Sequence, residues 1–460
     1  MELERKRIIF SKDYILHSVV QYKQNKNFVK YIYQKLKDFD FIPTVVAEFG
    51  VGDGTLATKL FNSFKPKTFY IVDLSKDFLK NVEKNIPQAI TINKDFLEID
   101  TFDFKQAPEI VVSSNSLHWL PLTPQKNEWV RAIEKIYEIL SEGGFLFVHC
   151  GLKWTYFALY DLANELFEKS YKRRVDLSEY LYYPPAKEII QNFEKIGFRI
   201  IHYKDFYEIE NFTASYTKEE LYKSFSVSGL NVFLAEIQDL KEKEVFKESF
   251  LKACYFYEPI TFSHRGFFSL RKPYSANVDF TYKLISPGSA SNREKELIAE
   301  FLSKVSDDFY PPLTTRSPDD NKFSCNIDSS IYITSLLRDY WILFAQFGDK
   351  PNEIAALLAF TVKTPFSIPS TSKCIYISTL AVARKYRNAG IGTRLYKYFL
   401  EEIFPKHFKH QGISNIETRT WSTNIASKRL LENLGFIKTK EILHHRGEGI
   451  HTEYYTKQMS

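Results

Sequence analysis

Val46-Ala47-Glu48-Phe49-Gly50-Val51-Gly52-Asp53-Gly54 is a short apolar run that breaks into three glycines at alternate positions, and it constrains the fold more than any other stretch. The residues Val45 to Phe49 read as a buried parallel strand, and the glycines let the backbone turn sharply and approach a ligand with no Cβ in the way. Thr55 to Phe64 then resumes helical spacing. A strand, a glycine turn and a helix start make a cradle for a nucleotide-like ligand, because the helix start presents free N–H groups. Thr68 to Asp73 is a second strand that ends in an acid, 19 residues past Gly54. A carboxylate there is placed to accept hydrogen bonds from ribose hydroxyls, which a plain tight turn does not require.

The same alternation continues. Ala89 to Ile92 is a short strand followed by Lys94-Asp95-Phe96, where the acid and the aromatic ring suit the edge and face of a purine. Glu109 to Ser114 is a fourth strand opening into Asn115-Ser116-Leu117-His118-Trp119-Leu120, and Gly143-Gly144 separates a helix (Glu128 to Leu140) from the strand Phe145 to Val148. One or two amphipathic helices precede the first strand, over residues 11–40. This order predicts an α/β, doubly wound parallel sheet with its ligand over the strand C-termini. Beside that edge, His118 reads equally as packing and as a substrate contact, and Trp119 as a pocket wall. Residues 151–185 and 211–255 read as helical insertions that cap the substrate side.

Length alone asks for more than one core: 460 residues predict two or three domains. The 62 Lys and Arg are scattered among 56 Asp and Glu for a net charge of +6, so no dedicated nucleic-acid surface is expected. Cys150, Cys254, Cys325 and Cys374 are far apart without metal-ligand spacing, which predicts buried thiols in a reducing compartment and no metal site. Nowhere do about 18 apolar residues run together, so no membrane span is expected and the chain reads as cytoplasmic.

Around residues 271–277 the pattern changes from helical to extended, which divides the chain into residues 1–273 and 278–460. Val278 to Ile285 reads as a strand, Asn292 to Val305 as a helix, and residues 307–328 as a long loop at a substrate mouth. Trp341 to Phe347 and Ile354 to Val362 form a hairpin joined by Gly348 to Asn352. Cys374 to Val382 runs into Arg384-Lys385-Tyr386-Arg387-Asn388-Ala389-Gly390-Ile391-Gly392-Thr393-Arg394 and a helix through Phe399. A basic, glycine-bearing loop at a helix start converges N–H groups and the helix dipole on one anionic point, and a pyrophosphate fits it.

Glu48 to Gly54, Asp73, Asp95-Phe96 and the Asn115 to Leu120 segment, in that order, resemble the class I S-adenosylmethionine-dependent methyltransferases over residues 10–240. The acid before the first glycine and the Gly-x-Gly-x-Gly form separate this turn from a nicotinamide dinucleotide site. His118-Trp119 and Tyr182-Tyr183-Pro184-Pro185 to Ile189 are similar to the malonyl-carrier-protein and trans-aconitate carboxyl methyltransferases. The resemblance implies a Rossmann-like domain that holds S-adenosylmethionine through Glu48, Gly50, Gly52, Gly54, Asp73, Asp95, Phe96 and Ser114. It also implies a carboxylate acceptor on a small or carrier-bound molecule near His118 and Trp119. A carboxylate is already a nucleophile, so the enzyme chiefly has to position it and exclude water. The Asn-Pro-Pro-Tyr motif of base and glutamine methyltransferases is missing, since Ser114-Asn115-Ser116-Leu117 stands there.

Arg387, Gly390 and Gly392, with Leu380-Ala381-Val382 before them and Asn424-Ile425-Ala426-Ser427 to Leu434-Gly435-Phe436 after, resemble the GNAT acyltransferases over residues 278–458. The resemblance implies a mixed α/β domain that binds acetyl-CoA at Leu380, Val382, Arg387, Asn388, Gly390, Gly392, Thr393 and Asn424 and acetylates an amine. One departure is Leu431, where many members carry the Tyr that protonates the leaving thiolate. The general acid is therefore open: Tyr454 and Tyr455 on the last strand are candidate substitutes, with core packing the alternative reading for at least one, and Glu417 is the candidate base, acting through water. The chain thus reads as a bifunctional transferase. The alternatives are that one domain is a cofactor-binding regulatory or assembly module, or that the acceptor is a protein.

Overall fold

A computed structural model describes residues 19–121, 127–209, 218–259, 262–275, 277–310, 312–313, 329–367 and 373–459. The chain divides into two compact units, Met1–Pro273 and Tyr274–Ser460.

The first unit is built on seven strands: β1 Val45–Phe49, β2 Thr68–Asp73, β3 Ile90–Asn93, β4 Ile110–Ser114, β5 Phe145–Gly151, β6 Arg199–Ile209 and β7 Phe262–Arg271. Their order is β3-β2-β1-β4-β5-β7-β6. The first five are parallel, and β7 lies antiparallel between β5 and β6. Helices α1 Val19–Asp38, α2 Thr55–Phe64, α3 Lys76–Asn85 and α4 Glu128–Ile139 accompany the parallel strands. Because both faces are covered, the central strands β1, β2, β4 and β5 are buried almost throughout and largely apolar, whereas the edge strand β3 is partly exposed. Val45, Ala47 and Phe49 of β1 pack with Trp129, Ile133 and Ile136 of α4, while Val46 packs with Phe28 and Ile32 of α1 and Leu56 and Leu60 of α2. β1 neighbours both β2 and β4, so the winding reverses at its end, and the glycine turn sits at that switch point.

Four further helices follow: α5 Phe157–Tyr171, α6 Ala186–Ile196, α7 Lys218–Val227 and α8 Leu240–Tyr257. Ile189 and Phe193 of α6 join the sheet's core. The other three close a core of their own around Leu159, Phe167, Phe225, Phe246 and Phe250, with Trp119 and Tyr183 packed against it. Sequence reading left β6 and β7 without strands. Cys150, Cys254 and Cys374 are buried free thiols, and Cys325 lies outside the described residues. Among the described residues, no helix is long and apolar enough to cross a membrane.

The second unit holds β8 Phe280–Ile285, β9 Trp341–Phe347, β10 Ala356–Lys363, β11 Cys374–Val382, β12 Asn415–Trp421, β13 Ile437–Ile442 and β14 Thr452–Gln458. They are ordered β13-β14-β12-β11-β10-β9-β8. Neighbours are antiparallel except β11 and β12, which run parallel and pair only at Ile375, Ile377 and the residue between, against Ile416 to Thr418. Beyond that point the two strands part. β11 also carries an extra residue against β10: Thr379 faces Ala359 and Ile377 faces Phe360, so Ser378 has no partner across the pair. Helices α9 Asn292–Val305 and α10 Ser329–Asp339 cover one face, and α11 Ile391–Tyr398 and α12 Ile425–Asn433 the other.

Residues 314–328 of the expected mouth loop lie outside the described residues. The start of α9 is a reciprocal cap: Ser291 Oγ accepts from Glu294 N at 3.3 Å, and Glu294 Oε2 accepts from Ser291 N at 2.7 Å. Lys283 completes an ion pair with Glu294, and the bonds from Lys283 and Ser291 hold its carboxyl down at about 2. Replacing Glu294 with Ala is expected to cost the second unit about 1–2 kcal/mol in denaturant unfolding. The depressed value sets the sign. The contribution is complete above pH 4.5, the ordinary value, and is lost as pH falls toward about 2, so wild type and variant converge in acid.

Candidate functional site

Gly50, Gly52 and Gly54 take φ of 78°, 54° and 79°. A Cβ on Gly50 would lie 2.3 Å from Ser116 Cβ and 3.3 Å from the Phe96 ring, so the end of β1 rests directly on the segment that follows β4. Asp73, buried at the end of β2, accepts from Val51 N on Oδ2 and from Ser75 N on Oδ1, each at 2.8 Å. It thereby ties the glycine turn to the next strand. Burial raises its carboxyl, against the pull of the N–H groups of Ser75, Val51, Gly52 and Leu74. Asp53 Oδ1 accepts from Thr55 N at 2.9 Å and opens α2.

Glu48, 1% exposed, has an Oε2 with no hydrogen-bond partner. Burial first, then the charges of Asp53 and Asp73, hold its carboxyl well above the usual range. An acid whose charged form burial disfavours suits a ligand with a cationic group, which stabilises that charge. Asp95 caps its own turn by accepting from Leu97 N at 3.0 Å, and the Phe96 ring packs 5.5 Å from Phe49. Ser114 Oγ donates to Asn25 Oδ1 of α1 at 3.0 Å and lies 3.0 Å from His149 Nδ1. Asn115 Nδ2 donates to Gln24 Oε1 at 3.1 Å, so α1 is stitched to the sheet's C-terminal edge.

Beside this edge lies a residue that sequence reading passed over. Arg265 sits on β7 opposite Gly151 of β5 and is 4% exposed. It donates to Asn115 Oδ1 at 2.9 Å and to Tyr156 OH at 3.1 Å. His118 is buried next to Trp119 and stacked on Tyr183, with ring centroids 4.9 and 5.1 Å away. Burial and the Arg265 charge push its imidazole down to about 3, and Nδ1 has no partner. His149 is likewise held neutral, chiefly by burial and then by Arg265, and its Nε2 has no partner. Gly151 makes the room: a Cβ there would meet the Tyr183 ring at 2.5 Å. The result is a buried cation flanked by two neutral imidazoles, each with an unpaired nitrogen.

In the second unit, Asn388 and Gly390 take φ of 58° and 86°, and no side chain caps the start of α11. The N–H groups of this loop and of Gly392 and Thr393 in the first turn are left for an anion. Gly392 lies close enough to β11 that a Cβ would meet Val382 Cγ2 at 3.2 Å, with Leu380 on the same face. Arg387 Nε donates to Val382 O at 3.0 Å and Nη2 to Asp308 Oδ2 at 2.6 Å. Arg384 grips both oxygens of Asp308, at 3.1 and 3.0 Å. Burial works against the Asp308 charge, but the bonds from Arg387 and Arg384 outweigh it and hold the carboxyl below the ordinary range. Asn424 is the N-cap of α12, its Oδ1 accepting from Ser427 N at 3.2 Å.

The residues expected as base and acid each have structural partners within the second unit. Glu417 is fully buried and accepts from Phe366 N, Ser367 N at 2.8 Å and Ser367 Oγ at 2.6 Å. Its carboxylate holds the 366–367 turn, a structural engagement that sequence reading did not anticipate. The Tyr454 ring is stacked 5.2 Å from Phe366 against the same turn, and Tyr455 OH donates to Glu453 Oε2 at 2.9 Å inside the core. Leu431 is buried in that core as well.

Two glycine-bearing turns, each between a strand end and a helix start, mark two candidate cradles in an α/β protein. Residues 47–146 match the family model for a methyltransferase domain, and residues 301–436 match that of the acetyltransferase (GNAT) family. The first unit is a Rossmann-like methyltransferase domain and the second a GNAT acetyltransferase domain, and the chain is an enzyme of both kinds. Both families imply their cofactors, S-adenosylmethionine and acetyl-CoA. No curated protein matches the sequence. Among solved structures, BH2331 of Bacillus halodurans, described as a methyltransferase, is 16% identical with a TM-score of 0.33 over 50% of this chain and 92% of its own. The N-methyltransferase NodS of Bradyrhizobium japonicum, solved with S-adenosyl-L-homocysteine, is 11% identical with a TM-score of 0.29, covering 54% of this chain and 88% of its own. A chain of the NatC complex bound to Gag peptide and CoA is 16% identical with a TM-score of 0.29, covering 40% of this chain and 99% of its own.

Proposed function

We propose that the first unit transfers the methyl group of S-adenosylmethionine to a carboxylate on a small or carrier-bound molecule, and that the second transfers the acetyl group of acetyl-CoA to an amine. The observation that carries the methyl acceptor is Arg265, a buried guanidinium one hydrogen bond from Asn115, whose chain neighbour Ser116 lies against Gly50. A buried cation favours an anionic acceptor, and its planar fork orients a carboxylate through one oxygen while the other meets the methyl group. His118 and His149 are neutral there, so neither competes as a charge, and their unpaired nitrogens can bond the acceptor. S-adenosylmethionine brings the electrophilic methyl. Glu48 and Asp73 would hold its cationic and hydroxyl groups, and the glycine turn its sugar side. The buried free thiols Cys150, Cys254 and Cys374 suit the reducing cytoplasm.

The test is release of S-adenosylhomocysteine with a panel of mono- and dicarboxylic acids, free and as carrier thioesters. Turnover is expected with the acids and absent with their methyl esters. Arg265→Met is expected to lower kcat/KM about 100-fold while leaving S-adenosylhomocysteine affinity within about threefold, and Arg265→Lys to fall between. Turnover on amines that Arg265→Met leaves untouched would overturn the reading. A second reading, in which the second unit binds its coenzyme without turnover, is favoured by Leu431 and by the engagement of Glu417. Release of free coenzyme A with simple amines decides against it.

A further inference from the structure

This inference rests on the acetyl-transfer reading of the second unit, and two observations together locate the thioester. The loop that suits a pyrophosphate follows directly on β11, and among the described residues β11 has no pairing with β12 from Ser378 onward, Val382 O being taken by Arg387 Nε. An extended arm with amide groups leaving the loop finds hydrogen-bond partners along that open edge, as an added strand would. Five strand residues span about 16 Å. The acyl end therefore comes to rest where the strands part, beside Ser378 and Thr379.

At that point the extra residue in β11 matters. Ile375 and Ile377 face the α11 side, and Leu380 faces it again, so Ser378 and Thr379 both turn to the opposite face, toward α10. There the hydroxyl of Tyr332, on α10, lies 3.0 Å from Thr379 Oγ1 and 3.2 Å from Ser378 Oγ. Tyr454, Tyr455 and Leu431 are committed to packing or to Glu453. We propose that Tyr332 is the acid of acetyl transfer. The acceptor nitrogen bonds to the acyl carbon, the carbon–sulfur bond breaks with its electron pair on sulfur, and Tyr332 gives its proton to that sulfur. The proton shed by the nitrogen returns to the Tyr332 oxygen through the Ser378 and Thr379 hydroxyls, so no outside acid or base is consumed.

The experiment needs no acceptor. Coenzyme A is titrated into the full-length protein by calorimetry, and the thiol of the bound coenzyme is then followed against pH by thiolate absorbance. A hydroxyl aimed at the sulfur stabilises the thiolate, so the bound thiol is expected to titrate below its value in solution. Tyr332→Phe is expected to move that titration up by about one pH unit while coenzyme A affinity changes less than about threefold. Thr379→Val, which leaves Tyr332 in place with one partner fewer, is expected to move it by less and serves if Tyr332→Phe does not fold. Bound coenzyme whose thiol titrates identically in all three proteins would overturn the assignment. Failure of the wild type to bind coenzyme A is a different result, and overturns the acetyl-transfer reading together with this inference.

Discussion

Gly50→Ala is expected to abolish measurable S-adenosylhomocysteine binding, a loss of at least about 100-fold, and to destabilise the first unit by about 2–4 kcal/mol. Two costs add. At φ 78° an Ala residue is held in the left-handed region, worth about 1–2 kcal/mol. Its Cβ would also stand 2.3 Å from Ser116 Cβ, and Ser116 cannot swing away freely, because its Oγ donates to Phe49 O at 3.0 Å and lies 2.8 Å from Ser113 Oγ. The turn must move, and with it the N–H of Val51 that Asp73 holds. Gly54→Ala is the control: the same φ of 79°, but Val82 Cγ2 at 3.1 Å as the nearest contact, a side-chain tip that can yield. Calorimetry with S-adenosylhomocysteine and denaturant unfolding read both effects. Wild-type affinity in Gly50→Ala would remove the turn from the site.

The second large effect is expected at Arg387. Arg387→Ala should weaken coenzyme A binding by about 30- to 100-fold and leave S-adenosylhomocysteine binding unchanged. The guanidinium performs two tasks: Nε fixes Val382 O, where β11 hands over to the loop, and Nη2 brings charge beside Asp308 at the helix start. Loss of a charged hydrogen bond at an anion site is worth about 1.5–3 kcal/mol. Arg387→Lys keeps the charge without the fork and should lie between wild type and Ala. Raising salt should narrow the gap, since part of the effect is Coulombic. Equal affinity in all three proteins would take Arg387 out of the pyrophosphate site.

Both cradles lay open in the sequence for one physical reason. A strand covered on both faces is continuously apolar, and the glycines that follow interrupt it at the point where backbone must come close to something. β6 and β7 gave no such signal, because β6 is an edge strand with none of its described side chains buried and the buried positions of β7 include charges. Arg271 of β7 is fully buried, yet stacks 4.5 Å from the Phe145 ring and donates Nε to Gly143 O at 2.9 Å. Arg265 belongs to the same strand, and its value depends on β7 entering between β5 and β6, a pairing that no local pattern encodes. Glu417 was read as a base because an isolated acid in a strand has no local partner. Its partners come from the 366–367 turn, about 50 residues earlier. Asp308 and Tyr332 escaped for the same reason, since each meets its partners across more than 40 residues.

The single unpaired residue in β11 makes that strand two half-strands in opposite phase. Before Ser378, odd-numbered side chains look to one side of the sheet; after it, even-numbered ones do. Deleting Ser378 would leave Ile377 and Thr379 adjacent and already on opposite faces, so the strand would alternate regularly with Leu380 and Val382 still on the α11 side, and only the second hydroxyl beside Tyr332 would be lost. The extra residue is thus what sets two consecutive hydroxyls on one face, a placement that a regularly alternating strand cannot give.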